Sequence, residues 1–177
     1  MNSSDFENIS MKGRMAYIIL CVETYLLAKF PEEDWSTLSQ WMWSVTSSYW
    51  DNWGYKFIEI IPEYLFEFPS YEESDFEQLT NEEYDFFTKL LKNKPAELNQ
   101  LLLKAHDLEE VYCYTRIPKH GQEAIDIVLE VCSILEKNKI PLPDIQLVQF
   151  SSFSEKDGWG ERFDGTKLSL ILGKKES

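Results

Sequence analysis

Histidine occurs twice and cysteine three times in this sequence, and no two cysteines form a CxxC pair. An odd set without that spacing offers neither a disulfide framework nor a thiolate zinc site, and it suits a reducing compartment. Gly-rich phosphate loops, a nucleophile elbow and HExxH are missing as well. No local motif therefore points to phosphoryl, acyl or zinc-assisted transfer, although a site assembled from distant segments needs none. Long apolar runs are equally scarce. The longest, Met15–Val22, covers eight residues and stops at Glu23, far short of the ~20 that a bilayer demands. Asp5 and Glu7 spoil the positive leader that Lys12 and Arg14 would otherwise suggest, and no small-x-small cleavage site follows. The expectation is a cytoplasmic protein with no membrane association, no metal and no cofactor.

Basic residues are outnumbered, seventeen to thirty-one, for a net charge of −14. Most of the excess lies in residues 51–90, where eleven acids meet only Lys56 and Lys89, a net of −9. A field this negative repels phosphate backbones and anionic headgroups and attracts cationic proteins. No nucleic-acid partner is expected, and a basic protein partner is favoured. The other reading is that acidity serves solubility.

What the chain does have is apolar material, 44% of 177 residues, enough to offset the entropy of folding in one domain over 1–177. Met15, Ile18, Ile19, Val22 and Leu26 predict a helix from about Ile9 to Phe30, ended by Pro31. A second helix is expected from Glu32-Glu33-Asp34 to about Tyr49, a break at Asn52 and Gly54, and two short helices separated by Pro62. Thr80 and Glu83 form a capping box for a helix ending near Lys94. Helices beginning at Pro95 and at about Gln122 carry buried stripes through Leu98–Tyr112 and Ile125–Leu135. Lys167–Leu172 then alternates like a strand, with Ile145–Phe153 as its mate. The fold class read from this pattern is mainly α, helical over 8–139, with a small C-terminal β-hairpin within 140–173.

Candidate chemistry is sparse. His106 precedes Glu110 by one helical turn and would make a base with its orienting carboxylate, or a partly exposed structural pair; His120 reads as loop material. Glu59, Glu63 and Glu67 share one face if Pro62 only kinks its helix. That face is either solvated or turned to a cation, and a metal site is a weaker third reading. Glu72, Glu73, Asp75 and Glu77 extend the acidic window through a loop. In Asp157-Gly158-Trp159-Gly160-Glu161-Arg162-Phe163-Asp164, Trp159 is either a plug for the core or an anchor inside a rim of Asp157, Glu161 and Asp164.

The stretch QWMWSVTSSYWDNWGY, residues 40–55, is the densest aromatic segment. Helical phasing puts Trp35, Leu38, Trp41, Met42, Val45, Tyr49 and Trp53 on one broad face, with Trp35, Met42, Val45 and Tyr49 expected in the core, and leaves Trp43 and Trp50 on a shoulder, against a neighbouring helix or against a partner. The run Trp41-x-Trp43…Tyr49-Trp50-x-x-Trp53, followed by Ile61-Pro62-Glu63-Tyr64-Leu65 and by Gly158-Trp159-Gly160 before Phe163, resembles the immunity proteins of bacterial polymorphic-toxin and contact-dependent growth-inhibition systems. That resemblance implies a non-enzymatic protein that binds and neutralises a cognate toxin domain, commonly a nuclease, with the 51–90 acids and the Trp159 loop as its binding surfaces. A helical adaptor for some other basic protein is the alternative, and an enzyme using His106 and Glu110 is the third reading.

Overall fold

The computed structural model describes residues 1–48 and 50–173. Among them are seven α-helices: α1 Met11–Lys29, α2 Ser36–Trp43, α3 Trp50–Ile58, α4 Pro62–Leu65, α5 Asn81–Leu91, α6 Ala96–Glu110 and α7 Gln122–Lys137. Short 3-10 turns connect and follow them, and the described residues contain no strand.

The pivot is α1. Ser10 caps it by accepting the Gly13 N–H at 3.1 Å, and every residue from Met11 to Glu23 is buried. A helix apolar on most sides is stable only when covered on most sides, and α6, α7, α2 and the turn Ile145–Val148 supply that cover. The stripes expected on α6 and α7 face inward: Leu98, Leu101, Leu102, Ala105 and Leu108 on one, Ile125, Val128, Val131, Cys132 and Leu135 on the other. Cys21 and Cys132 are both buried free thiols.

Three charged side chains enter this core with α1. Arg14 is fully buried and donates to three backbone carbonyls, those of Gly121 (3.1 Å), Phe6 (3.1 Å) and His120 (2.6 Å), so it ties the N-terminal segment to the start of α7. Burial lowers its pKa to about 10. Glu23, also fully buried, accepts from the Ser39 hydroxyl, from Trp43 Nε1 at 2.8 Å, from the Ser169 hydroxyl at 2.6 Å and from the Leu170 N–H at 2.6 Å. Lys12 Nζ donates to the Val45 carbonyl at 3.3 Å.

Where the structure departs from expectation, side-chain hydrogen bonds give the reason. The second helix stops at Trp43 because Ser44, Thr46, Ser47 and Ser48 turn their hydroxyls back onto the carbonyls of Trp41, Trp43 and Ser44, competing with the helical ladder. The expected break at Asn52 and Gly54 does not occur, and α3 runs through both. Gly54 is there for close approach, since a Cβ at that position would overlap the Glu109 carboxylate of α6. Pro62 does separate two helices, as the first residue of α4.

The C-terminal hairpin is absent. Lys167 and Leu168 belong to a 3-10 turn, and the N–H groups that a strand would offer a neighbour are already used, Leu170 on Glu23 and Ile171 and Leu172 on the Ser169 hydroxyl. Its expected mate pairs elsewhere: the Ser10 N–H donates to the Ser151 carbonyl and the Phe153 N–H to the Asn8 carbonyl, around an antiparallel bridge between Ile9 and Ser152.

Candidate functional site

Four of the acids singled out from the sequence converge. Tyr55 and Ile58 on α3, Glu59 just past its end, Tyr64 on α4, Glu67 and Phe68 beyond it, and Asp75 to Gln78 on the loop leading to α5 enclose a groove of about 430 Å³. Four carboxylates and four aromatic rings line it. Glu59 fixes its shape: one carboxylate oxygen accepts the N–H of Glu77 (2.8 Å), the other those of Gln78 (3.0 Å) and Leu79 (2.7 Å). Phe76 packs against Phe68, Tyr71 and Tyr84 with ring centroids 5.8–6.5 Å apart, and the Tyr71 hydroxyl donates to the Leu79 carbonyl at 2.8 Å. The loop is thereby held from both sides. The capping box that starts α5 is as expected, with Thr80 Oγ1 accepting the Glu83 N–H at 3.2 Å and Glu83 accepting the Thr80 N–H at 3.0 Å.

Glu59 is held by backbone N–H groups, and the groove's other carboxylates have no cationic partner among the described residues. Glu67, Asp75 and Glu77 are exposed and take part in none of the ion pairs among the described residues. Lys56 pairs with Glu83 at 3.1 Å and sits 4.1 Å over the Trp41 ring, lining a different cavity with Trp53 and Phe57.

The remaining acids are distributed otherwise. The expected three-carboxylate face does not form, because Pro62 breaks the helix rather than kinking it: Glu59 grips the loop, Glu63 sits in the first turn of α4 with its N–H on Asn99 Oδ1 (2.9 Å), and Glu67 lies beyond α4. Glu72 and Glu73 are exposed on a 3-10 turn outside the groove lining. Asp157 and Trp159 line a separate cavity of about 460 Å³ with Thr115, Arg116 and Ile117. Trp159 is half-buried with its ring edge-on to Trp50 at 5.6 Å, and its carbonyl accepts the Lys12 N–H at 3.1 Å, which are contacts of a plug. Glu161 pairs with Lys156 at 3.3 Å. Asp164 caps the last 3-10 turn, and the Thr166 hydroxyl bonded to it holds its carboxyl below the ordinary range. The acidic window and the Trp159 loop share no lining residue.

A further cavity, about 450 Å³, continues from the groove across Tyr55 and Ile58 and is lined by His106, Glu109, Glu110, Cys113 and Tyr114. His106 is buried, not partly exposed, with Nδ1 3.8 Å from Glu110 Oε2. Burial lowers its pKa against the pull of Glu110 and Asp107, so the ring is neutral near pH 7. No described group of three His, Cys, Asp or Glu side chains is arranged to hold a metal.

The two shoulder tryptophans of the aromatic stretch are structural. Trp43 and Trp50 are both buried, their indole N–H groups donating to Glu23 and to the Glu109 carbonyl (2.8 Å each), so neither forms a partner surface. Trp35, Met42 and Val45 are in the core as expected, and Tyr49 lies outside the described residues. Sequence reading found the acids of the groove but not its aromatic half. The signal was the interleaving of Tyr55, Tyr64, Phe68 and Phe76 with glutamates and aspartates. No protein-family model, curated protein or solved structure matches this chain.

Proposed function

We propose that this chain is a non-enzymatic binding protein that captures a basic protein partner on the acidic groove between α3, α4 and the loop leading to α5. The observation that carries the reading is the set of three unpaired carboxylates, Glu67, Asp75 and Glu77, on a rigid aromatic-lined concavity within a window of net charge −9. An acidic concavity steers a cationic surface into encounter and raises the association rate above the unsteered value. The resemblance to immunity proteins makes a toxin domain the leading partner class. A nuclease fits best, since its cleft is basic in order to hold phosphates and is covered by an acidic protein. The exposed acids Glu72 and Glu73 strengthen the same field, whereas Asp157, Glu161 and Asp164 are dispersed over the Trp159 loop: Asp157 lines a cavity with Arg116, Glu161 pairs with Lys156 and Asp164 caps a turn.

Co-expression with the product of the adjacent reading frame, followed by co-purification, tests for the partner. For the complex, Glu67→Lys, Asp75→Lys and Glu77→Lys together are expected to slow association about tenfold or more at low salt and to flatten its salt dependence. An association rate unchanged by the triple substitution, measured by stopped-flow fluorescence, overturns the acidic-groove reading.

A further inference from the structure

Five cation–ring contacts occur among the described residues, and they engage Trp50, Phe153, Trp41, Phe30 and Trp35. None uses Tyr55, Tyr64, Phe68 or Phe76, although these rings line the groove together with Glu67, Asp75 and Glu77. Among the described residues, no cation serves either the π faces of the groove or its exposed acids Glu67, Asp75 and Glu77. Tyr55 is 66% exposed, and Tyr64, Phe68 and Phe76 are half-buried, so the rings present surface without being loose. Glu59 holds the loop bearing Asp75, Phe76 and Glu77 against the end of α3, and the cavity exists before any partner arrives.

We propose that the groove selects arginine: an arginine side chain of the basic partner enters it, its guanidinium lying against the aromatic lining while Glu67, Asp75 and Glu77 accept its N–H groups. Lysine fits the charge but not the walls. Its ammonium is a strongly hydrated point charge, whereas guanidinium is planar, weakly hydrated and able to stack on a ring while donating in its own plane. This inference rests on the acidic groove being the partner site and names the side chain that the site takes.

The test uses the ¹⁵N-labelled full chain, titrated in separate experiments with acetyl-triarginine amide and acetyl-trilysine amide, which carry equal charge, and followed by amide chemical shifts. Shifts are expected to concentrate on the groove, from Tyr55 to Ile58 and from Phe76 to Leu79, with a Kd about tenfold lower for the arginine peptide. Tyr55→Leu removes an exposed π face without opening the core and is expected to bring the arginine affinity down toward that of lysine. Its amide spectrum away from the groove reports that the fold is retained. Equal affinities with shifts confined to the groove overturn the arginine preference and leave the acidic-partner reading standing. Shifts from neither peptide in the groove, or shifts scattered over the surface, overturn both.

Discussion

Lys12 places an ammonium group inside the protein. It is 6% exposed, its Nζ lies 4.8 Å over the Trp50 ring, and its hydrogen bond goes to a neutral carbonyl, that of Val45. Burial, reinforced by the charge of Arg162, lowers its pKa to about 8 from 10.5. The unfolded chain therefore binds this proton more tightly than the folded one. Stability contributed by the neutral amine is present above pH 10.5, declines as pH falls, and is lost through pH 8. Lys12→Met is expected to unfold at equal or higher urea than the parent at pH 7, because a well-packed apolar side chain replaces a poorly compensated charge. The advantage should shrink by about 1–3 kcal/mol between pH 7 and pH 10. A difference independent of pH would show that the buried charge carries no cost. Sequence periodicity located the apolar run Met15–Val22 but read Lys12, Arg14 and Glu23 as its polar ends. Burial of a charge depends on partners contributed by distant segments, Val45, Gly121 and Ser169 among them, and no local pattern records those.

Helix starts and stops were legible where their causes are local. The Thr80–Glu83 box spans three residues and Pro62 acts on its own turn, and both appear where the sequence places them. The tie between Glu59 and residues 77–79 spans eighteen to twenty residues and left no such mark. This element-level tie predicts its own loss. Glu59→Ala should cost about 1–3 kcal/mol by leaving backbone donors without their charged acceptor, and amide exchange should quicken at Glu77, Gln78 and Leu79. Thr80→Ala should cost ~1 kcal/mol with the effect confined to the first turn of α5. Comparable exchange rates at 77–79 in the parent and Glu59→Ala would remove the basis for a preformed groove. The hairpin failed for the converse reason: strand propensity in Lys167–Leu172 is real, yet Glu23 and the Ser169 hydroxyl take the N–H groups that a ladder would need. For the candidate site, the acids were visible as a charge cluster, whereas which of them gather into one concavity, and with which rings, depends on how α3, α4 and the following loop fold back on each other.

Across the whole molecule, salt is expected to act in opposite directions on folding and on binding. With −14 net charge and nine of those units within residues 51–90, self-repulsion opposes the compact state, and screening relieves it. Raising ionic strength from about 0.01 M to about 0.3 M should lift the thermal midpoint by roughly 2–4 °C, the shift that ~1 kcal/mol gives in a chain of this size, while slowing association with a basic partner. A midpoint that falls with salt would mean that the acids are already satisfied within the fold. Distance along the chain matters here too, because α1 is completed only by residues far beyond it: two of the donors to Glu23 are Ser169 and Leu170. During synthesis the central helix is made before Ser169 and Leu170, so it carries a carboxylate whose final partners have not yet been made. Until that last segment arrives, Glu23 keeps either water or a partial set of donors, Ser39 and Trp43. A chain that has collapsed around α1 without Ser169 and Leu170 leaves Glu23 short of two of its four donors, so closure of this core waits on translation of those two residues.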